Sequence, residues 1–98
     1  MDFLELKYND KIYTSKKEIL NILKSEKLYW LIDSECEEAV VEIIKNTVIW
    51  HSGIFLTGNW KYGIFKNGEF YGIWENGIWE NGIFNGDWKS GIKNNSPL

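Results

Sequence analysis

The chain has 98 residues, 11 Lys plus Arg against 14 Asp plus Glu, and a formal net charge of −3, a size suited to a single domain whose core needs no covalent staples. All 11 basic residues are lysine, so the side chain best suited to bidentate phosphate or guanine recognition is missing and direct nucleic-acid binding is disfavoured. A lone cysteine, Cys36, a charged and mixed N-terminus (MDFLELKYND) and the lack of an apolar run approaching the ~18 residues of a membrane helix point to the reducing cytoplasm.

In chain order, Phe3, Leu4 and Leu6 alternate roughly with Asp2, Glu5 and Lys7. Tyr8-Asn9-Asp10-Lys11 then supplies a turn before Ile12 and Tyr13, so residues 2–13 read as a β-hairpin. Ser15 with Glu18 forms a capping box, and Ile19, Leu20, Ile22 and Leu23 follow at helical spacing, which predicts a helix over 16–24. The continuous apolar run Leu28–Ile32 (LYWLI), ended by Asp33-Ser34, reads as a buried strand. Ser34 and Glu37 make a second capping box. Glu35, Glu37 and Glu38 suit the positive end of a helix dipole and Ala39, Val40, Ile43 and Ile44 its apolar face, so a second helix is expected, with a strand over 39–44 as the alternative that the β-branched residues support.

From Val48 a repeat takes over. All nine glycines lie between residues 53 and 93 at spacings of four or five, and every one but Gly91 is followed two positions on by Phe or Trp. With aromatics at 16% of the chain this is an internal repeat, and it closes at 14 residues: Leu56–Glu69, Phe70–Ile83 and Phe84–Pro97. The last copy decays after Ile92 into a polar end, with Lys93 in an aromatic place. Alternation puts Leu56-Gly58-Trp60, Phe70-Gly72-Trp74 and Phe84-Gly86-Trp88 on a core face, and Thr57-Asn59-Lys61, Tyr71-Ile73-Glu75 and Asn85-Asp87-Lys89 on a solvent face. Asn67-Gly68, Asn76-Gly77 and Asn81-Gly82 read as type I′ hairpin turns, and Gly58, Gly72 and Gly86 as places where a neighbouring strand's aromatic lies over bare backbone.

The stretches FYGIWENG (70–77) and FNGDWKSG (84–91) resemble the aromatic-x-Gly-x-Trp-x-x-Gly core of MORN repeats, over a third to a half of the chain. The period of 14 and the missing Gly-x-Gly segment depart from that family. The resemblance implies a β-meander serving as an interaction scaffold. The run GIWENGIWENGIF (72–84) is similar to glycine–aromatic stretches of tailed-phage proteins, which implies a phage or mobile-element origin and a host protein as partner.

The expected fold is α+β in one domain, 1–98. An N-terminal half, 1–47, with a β-hairpin and two short helices packs on the aromatic face of an antiparallel β-meander of 14-residue repeats, 48–93, and a tail, 94–98, follows. A β-solenoid is the alternative. It is set second because a coil of 14 residues looks too narrow to hold a Trp and two more aromatics.

Catalytic parts are not assembled in this sequence. His51 is the one histidine, Ser34 and Ser52 lack a base, no metal-ligand spacing occurs, and the glycines open no phosphate-binding helix. The expectation is a non-enzyme without cofactor or metal that binds a host protein or complex, as an inhibitor or adaptor acting by steric occlusion. A structural repeat or a carbohydrate-binding module is the alternative. Tyr71 and Ile73 are the candidate contacts, because they are apolar where the flanking copies carry Thr57, Asn59, Asn85 and Asp87; the plainer reading is that the N-terminal hairpin covers them. Glu35, Glu38 and Glu42 are candidates for steering toward a basic target; the plainer reading is a solvated helix face. Open sheet edges at the repeat end invite pairing with a second copy.

Overall fold

The structure is a computed structural model, and it describes residues 2–93. The first strands, β1 (Phe3–Tyr8) and β2 (Lys11–Tyr13), form the expected antiparallel hairpin. Its two-residue turn, Asn9-Asp10, has φ of 51° and 63°, the left-handed pair that a type I′ loop requires. Helix α1 (Lys16–Ser25) starts where Ser15 Oγ accepts from the Glu18 N–H at 3.4 Å, and it buries Ile19 and Leu23.

The LYWLI run is not a strand but a single helical turn, α2 (Tyr29–Ile32). Leu28 and Leu31 are buried, Tyr29 is exposed, and Trp30 and Ile32 lie between. That is a burial period of three, so helical geometry suits the run better than alternation. Ser34 does not cap a second helix. Its hydroxyl donates back to Leu31 O at 2.6 Å and closes α2, while residues 35–44 form strand β3 (Glu35–Ile44), the β-branched alternative.

Strand β3 pairs parallel with β1 and antiparallel with β4 (Thr47–Thr57) across Lys45-Asn46, whose φ of 46° and 66° make a second type I′ turn. The register slips between Glu37 and Val40, with Glu38 at φ 53°, so two β3 residues stand opposite one on β4. The bulge lets Cys36 and Ala39, three apart, both point into the core ahead of the regular alternation of Val41 and Ile43.

Beyond β4 come eight two-residue strands: β5 (Asn59–Trp60), β6 (Ile64–Phe65), β7 (Glu69–Phe70), β8 (Ile73–Trp74), β9 (Ile78–Trp79), β10 (Ile83–Phe84), β11 (Asp87–Trp88) and β12 (Ile92–Lys93). None pairs with its sequence neighbour. They stack in parallel as three columns, β4-β6-β9-β12, β4-β7-β10 and β5-β8-β11. The antiparallel meander is therefore replaced by the alternative, a three-sided β-solenoid of about three turns.

A 14-residue coil is wide enough for three aromatics because rings are flat. Each side of a coil sends one aromatic inward, and along the axis the rings stack: Trp50–Phe65–Trp79 at 5.5 and 4.4 Å, Phe55–Phe70–Phe84 at 4.8 and 5.3 Å, Trp60–Trp74–Trp88 at 5.2 and 5.3 Å. Between columns the rings meet edge to face, as Phe70–Trp74 does at 5.4 Å and 79°, the arrangement that ring quadrupoles favour. The face division holds for the second copy, with Phe70 and Trp74 buried and Tyr71 and Ile73 outside. In the first copy Phe55, not Leu56, is the partner of Phe70, because this coil carries one residue more between its Phe and Trp columns.

Nor are the Asn-Gly pairs hairpin turns. Gly68, Gly77 and Gly82 have φ of 130°, 127° and 119°, but Asn67, Asn76 and Asn81 are not left-handed. They are coil corners, and a Cβ on Gly82 would lie 2.2 Å from Gly68 O of the preceding coil.

The N-terminal half closes one end of this prism instead of lying along an aromatic face. Trp30 of α2 sits edge-on to Trp60 at 5.0 Å and Phe3 to Trp50 at 6.5 Å. Both halves share one hydrophobic cluster, joined through β4.

Candidate interaction surface

One corner of the solenoid is built from Gly58, Gly72 and Gly86. A Cβ on Gly72 would lie 2.7 Å from Gly58 O and 2.8 Å from Phe55 Cε1, and one on Gly86 2.2 Å from Gly72 O. The close approach of coils therefore excludes side chains from this corner, and the bare backbone becomes the floor of a groove of about 420 Å³. The expectation that aromatics pack over these glycines is met for Gly72 and Gly86, by Phe55 and Phe70 of the preceding coils.

Outward residues on either side make the walls, one pair per coil: Thr57 and Asn59, Tyr71 and Ile73, Asn85 and Asp87. Tyr71 is 39% and Ile73 37% exposed, so the hairpin does not cover them, and the structure brings the two together in the middle of the groove. The Tyr71 hydroxyl donates to Glu69. That hydrogen bond, with some burial, pushes the phenol's pKa up and keeps it a donor.

The rims are tied between coils. Glu75 accepts from Lys61 Nζ at 2.9 Å and Asn59 Nδ2 at 2.7 Å, and the lysine first, then the amide, hold its carboxyl below the usual range against some burial. Within the last coil Asp87 pairs with Lys89 at 3.1 Å.

The three candidate glutamates do not form one patch, because their segment is a strand. Glu35 is the cross-strand partner of Thr57, beside the upper end of the groove. Glu38 sits in the bulge, where its N–H donates to Asp2 Oδ2 at 3.2 Å. Glu42 faces His51 Nε2 at 2.9 Å and Lys7 at 4.0 Å. Cys36 is buried on β3, and burial raises its thiol pKa, so it stays a protonated thiol.

Sequence reasoning missed an aromatic extension of the groove. A depression of about 250 Å³ lined by Trp30, Asp33, Gly58, Asn59 and Lys61 shares Gly58 and Asn59 with it. The half-buried Trp30 stands edge-on to the exposed Tyr62 at 5.5 Å. The signal was present: Tyr62 follows Trp60 where Asn76 and Ser90 follow the later Trp residues, the same break in pattern that singled out Tyr71.

Among the described residues no group of three or more His, Cys, Asp and Glu could hold a metal ion, and no helix is long and apolar enough to cross a membrane. The fold thus defines a short aromatic-cored β-solenoid with an α/β end. Comparison of the chain with protein-family models, with curated proteins and with solved structures finds no match.

Proposed function

We propose that this chain is a non-catalytic protein-binding module that acts by occupying the surface of its partner with the groove corner of the solenoid. The observation that carries the reading is the exposed pair Tyr71 and Ile73, held over a glycine floor on a stack whose interior is packed aromatic rings. Aromatic and aliphatic groups at the centre of a contact typically contribute most of its free energy. A rigid stack also loses little conformational entropy on binding. Trp30 and Tyr62 extend the contact, and Glu35 beside the groove favours approach of a basic surface. The likeness of GIWENGIWENGIF to tailed-phage stretches supports reading the partner as a host protein complex in the host cytoplasm and the chain as a phage-encoded inhibitor or adaptor.

Tagged chain used as bait in host extract tests this reading. One stoichiometric partner is expected, lost with Tyr71→Ala/Ile73→Asp. A partner retained by the double variant removes the residue assignment, and recovery of no protein removes the binding function.

A carbohydrate-binding reading stands second, supported by the exposed Tyr62 and Tyr29 around Trp30. Titration of tryptophan fluorescence with a glycan panel separates the two readings, and a flat response ends the second.

A further inference from the structure

The aromatic stack is finished differently at its two ends. Trp30 and Phe3 close the first end. At the other, Phe84 and Trp88 are only half-buried, whereas the rings before them in their columns, Phe55, Phe70, Trp60 and Trp74, are fully buried. Ile83 and Ile92 of this last coil are each 59% exposed. Strands β10, β11 and β12 each pair on one side only among the described residues. Open backbone edges beside apolar side chains are a template for another strand.

One residue breaks that template. The third column reads Trp50, Phe65, Trp79 and then Lys93, in register with Trp79. Lys93 Nζ lies 5.2 Å from the Phe84 ring centroid and 5.3 Å from that of Trp88, within cation–π range of both. It makes no ion pair with a described residue.

We propose that Lys93 guards the end of the solenoid that the described residues leave open and keeps a second copy of this chain from stacking on it. The ammonium takes the seat over two rings that an aromatic of an added coil would occupy. A copy arriving tail to tail brings its own Lys93, and two like charges then lose water together in the contact. At the other end α2 and β3 cover the aromatic stack itself, and the edge strand there, β2, lies two strands beyond β3 and away from the ring columns. The molecule's shorter extents are 23 and 20 Å, so an end-on contact offers on the order of 400 Å² per copy, about half of the ~800 Å² per partner of a standard stable interface. A contact that small has little surplus to absorb two buried ammonium groups. The pairing of copies that open edges invite is therefore blocked by a side chain of the repeat itself.

Lys93→Trp restores the aromatic column and removes the charge. Light scattering on a sizing column and sedimentation velocity, up to about 100 µM where a contact of Kd ~10 µM is largely associated, read the outcome, with near-UV circular dichroism to confirm folding. The wild type is expected at the mass of one chain throughout, and Lys93→Trp at twice that mass or more at the upper concentrations. A wild type that is already dimeric, or a folded Lys93→Trp that stays monomeric, overturns the proposal. Should Lys93→Trp fail to fold, Lys93→Met, which keeps the stem without the charge, takes its place with the same two outcomes.

Discussion

Trp74 lies between Trp60 at 5.2 Å and Trp88 at 5.3 Å in its column and has no exposed surface. Its truncation to alanine opens a void that rigid coils above and below cannot fill, at a cost of about 3–5 kcal/mol, comparable to the whole stability of many small domains. Tyr71→Ala, on the outside of the same coil, is expected to cost far less, and urea melts of the two variants check the difference. Equal effects would contradict the division into inner and outer faces. Glu75 supplies a second test. Lys61, then Asn59, hold its carboxyl below the ordinary glutamate range in the folded chain. A depressed folded pKa contributes stability that is present above the unfolded value and is lost as pH falls through the folded one. The urea midpoint of wild type should therefore exceed that of Glu75→Gln at pH 7, and the gap should close as pH falls through and below the ordinary glutamate range. A gap independent of pH would show that the carboxylate's charge contributes nothing.

At the scale of elements, the coil corners and the β3 bulge decide how the chain stacks. Gly82 combines φ 119° with a neighbouring carbonyl that a Cβ would approach to 2.2 Å. Gly82→Ala should destabilise by roughly 1–3 kcal/mol from backbone strain alone, with steric displacement of the Gly68 carbonyl in addition, while Asn81→Ala on the exposed side of the same corner should be mild. Thermal melts of the pair test whether these glycines serve coil stacking. A flexible turn would tolerate both changes alike. The buried Cys36 reports on the sheet of the other half. Its thiol is expected to react with an aromatic disulfide reagent only as fast as the β3 region opens, and to become fully reactive in urea. Rapid labelling of the native chain would contradict the placement of Cys36 beneath the sheet.

For the whole molecule, the inner face, the turn at Asn9-Asp10 and helix α1 were legible in the sequence, because each rests on local chemistry: alternation, left-handed Asn and Asp, and a serine cap. The candidate pair Tyr71 and Ile73 was legible as a break in the repeat, and the groove that displays it was not. That groove exists because Gly58, Gly72 and Gly86, distant in sequence, fall on one corner. The segment 35–44 carries a capping box and β-branched residues at once, and only the neighbours β1 and β4 decided for a strand, by supplying backbone partners on both sides. By itself the sequence determined the 14-residue period and the common inward face of Trp60, Phe70, Trp74, Phe84 and Trp88, since these follow from residue type and spacing along one chain, but it set Leu56 where Phe55 stands. Only the tertiary structure decided that the period winds into a solenoid instead of folding back as hairpins. Alternation is identical in the two arrangements, and what separates them is whether flat rings of successive coils can stack at about 5 Å, the separation of neighbouring strands.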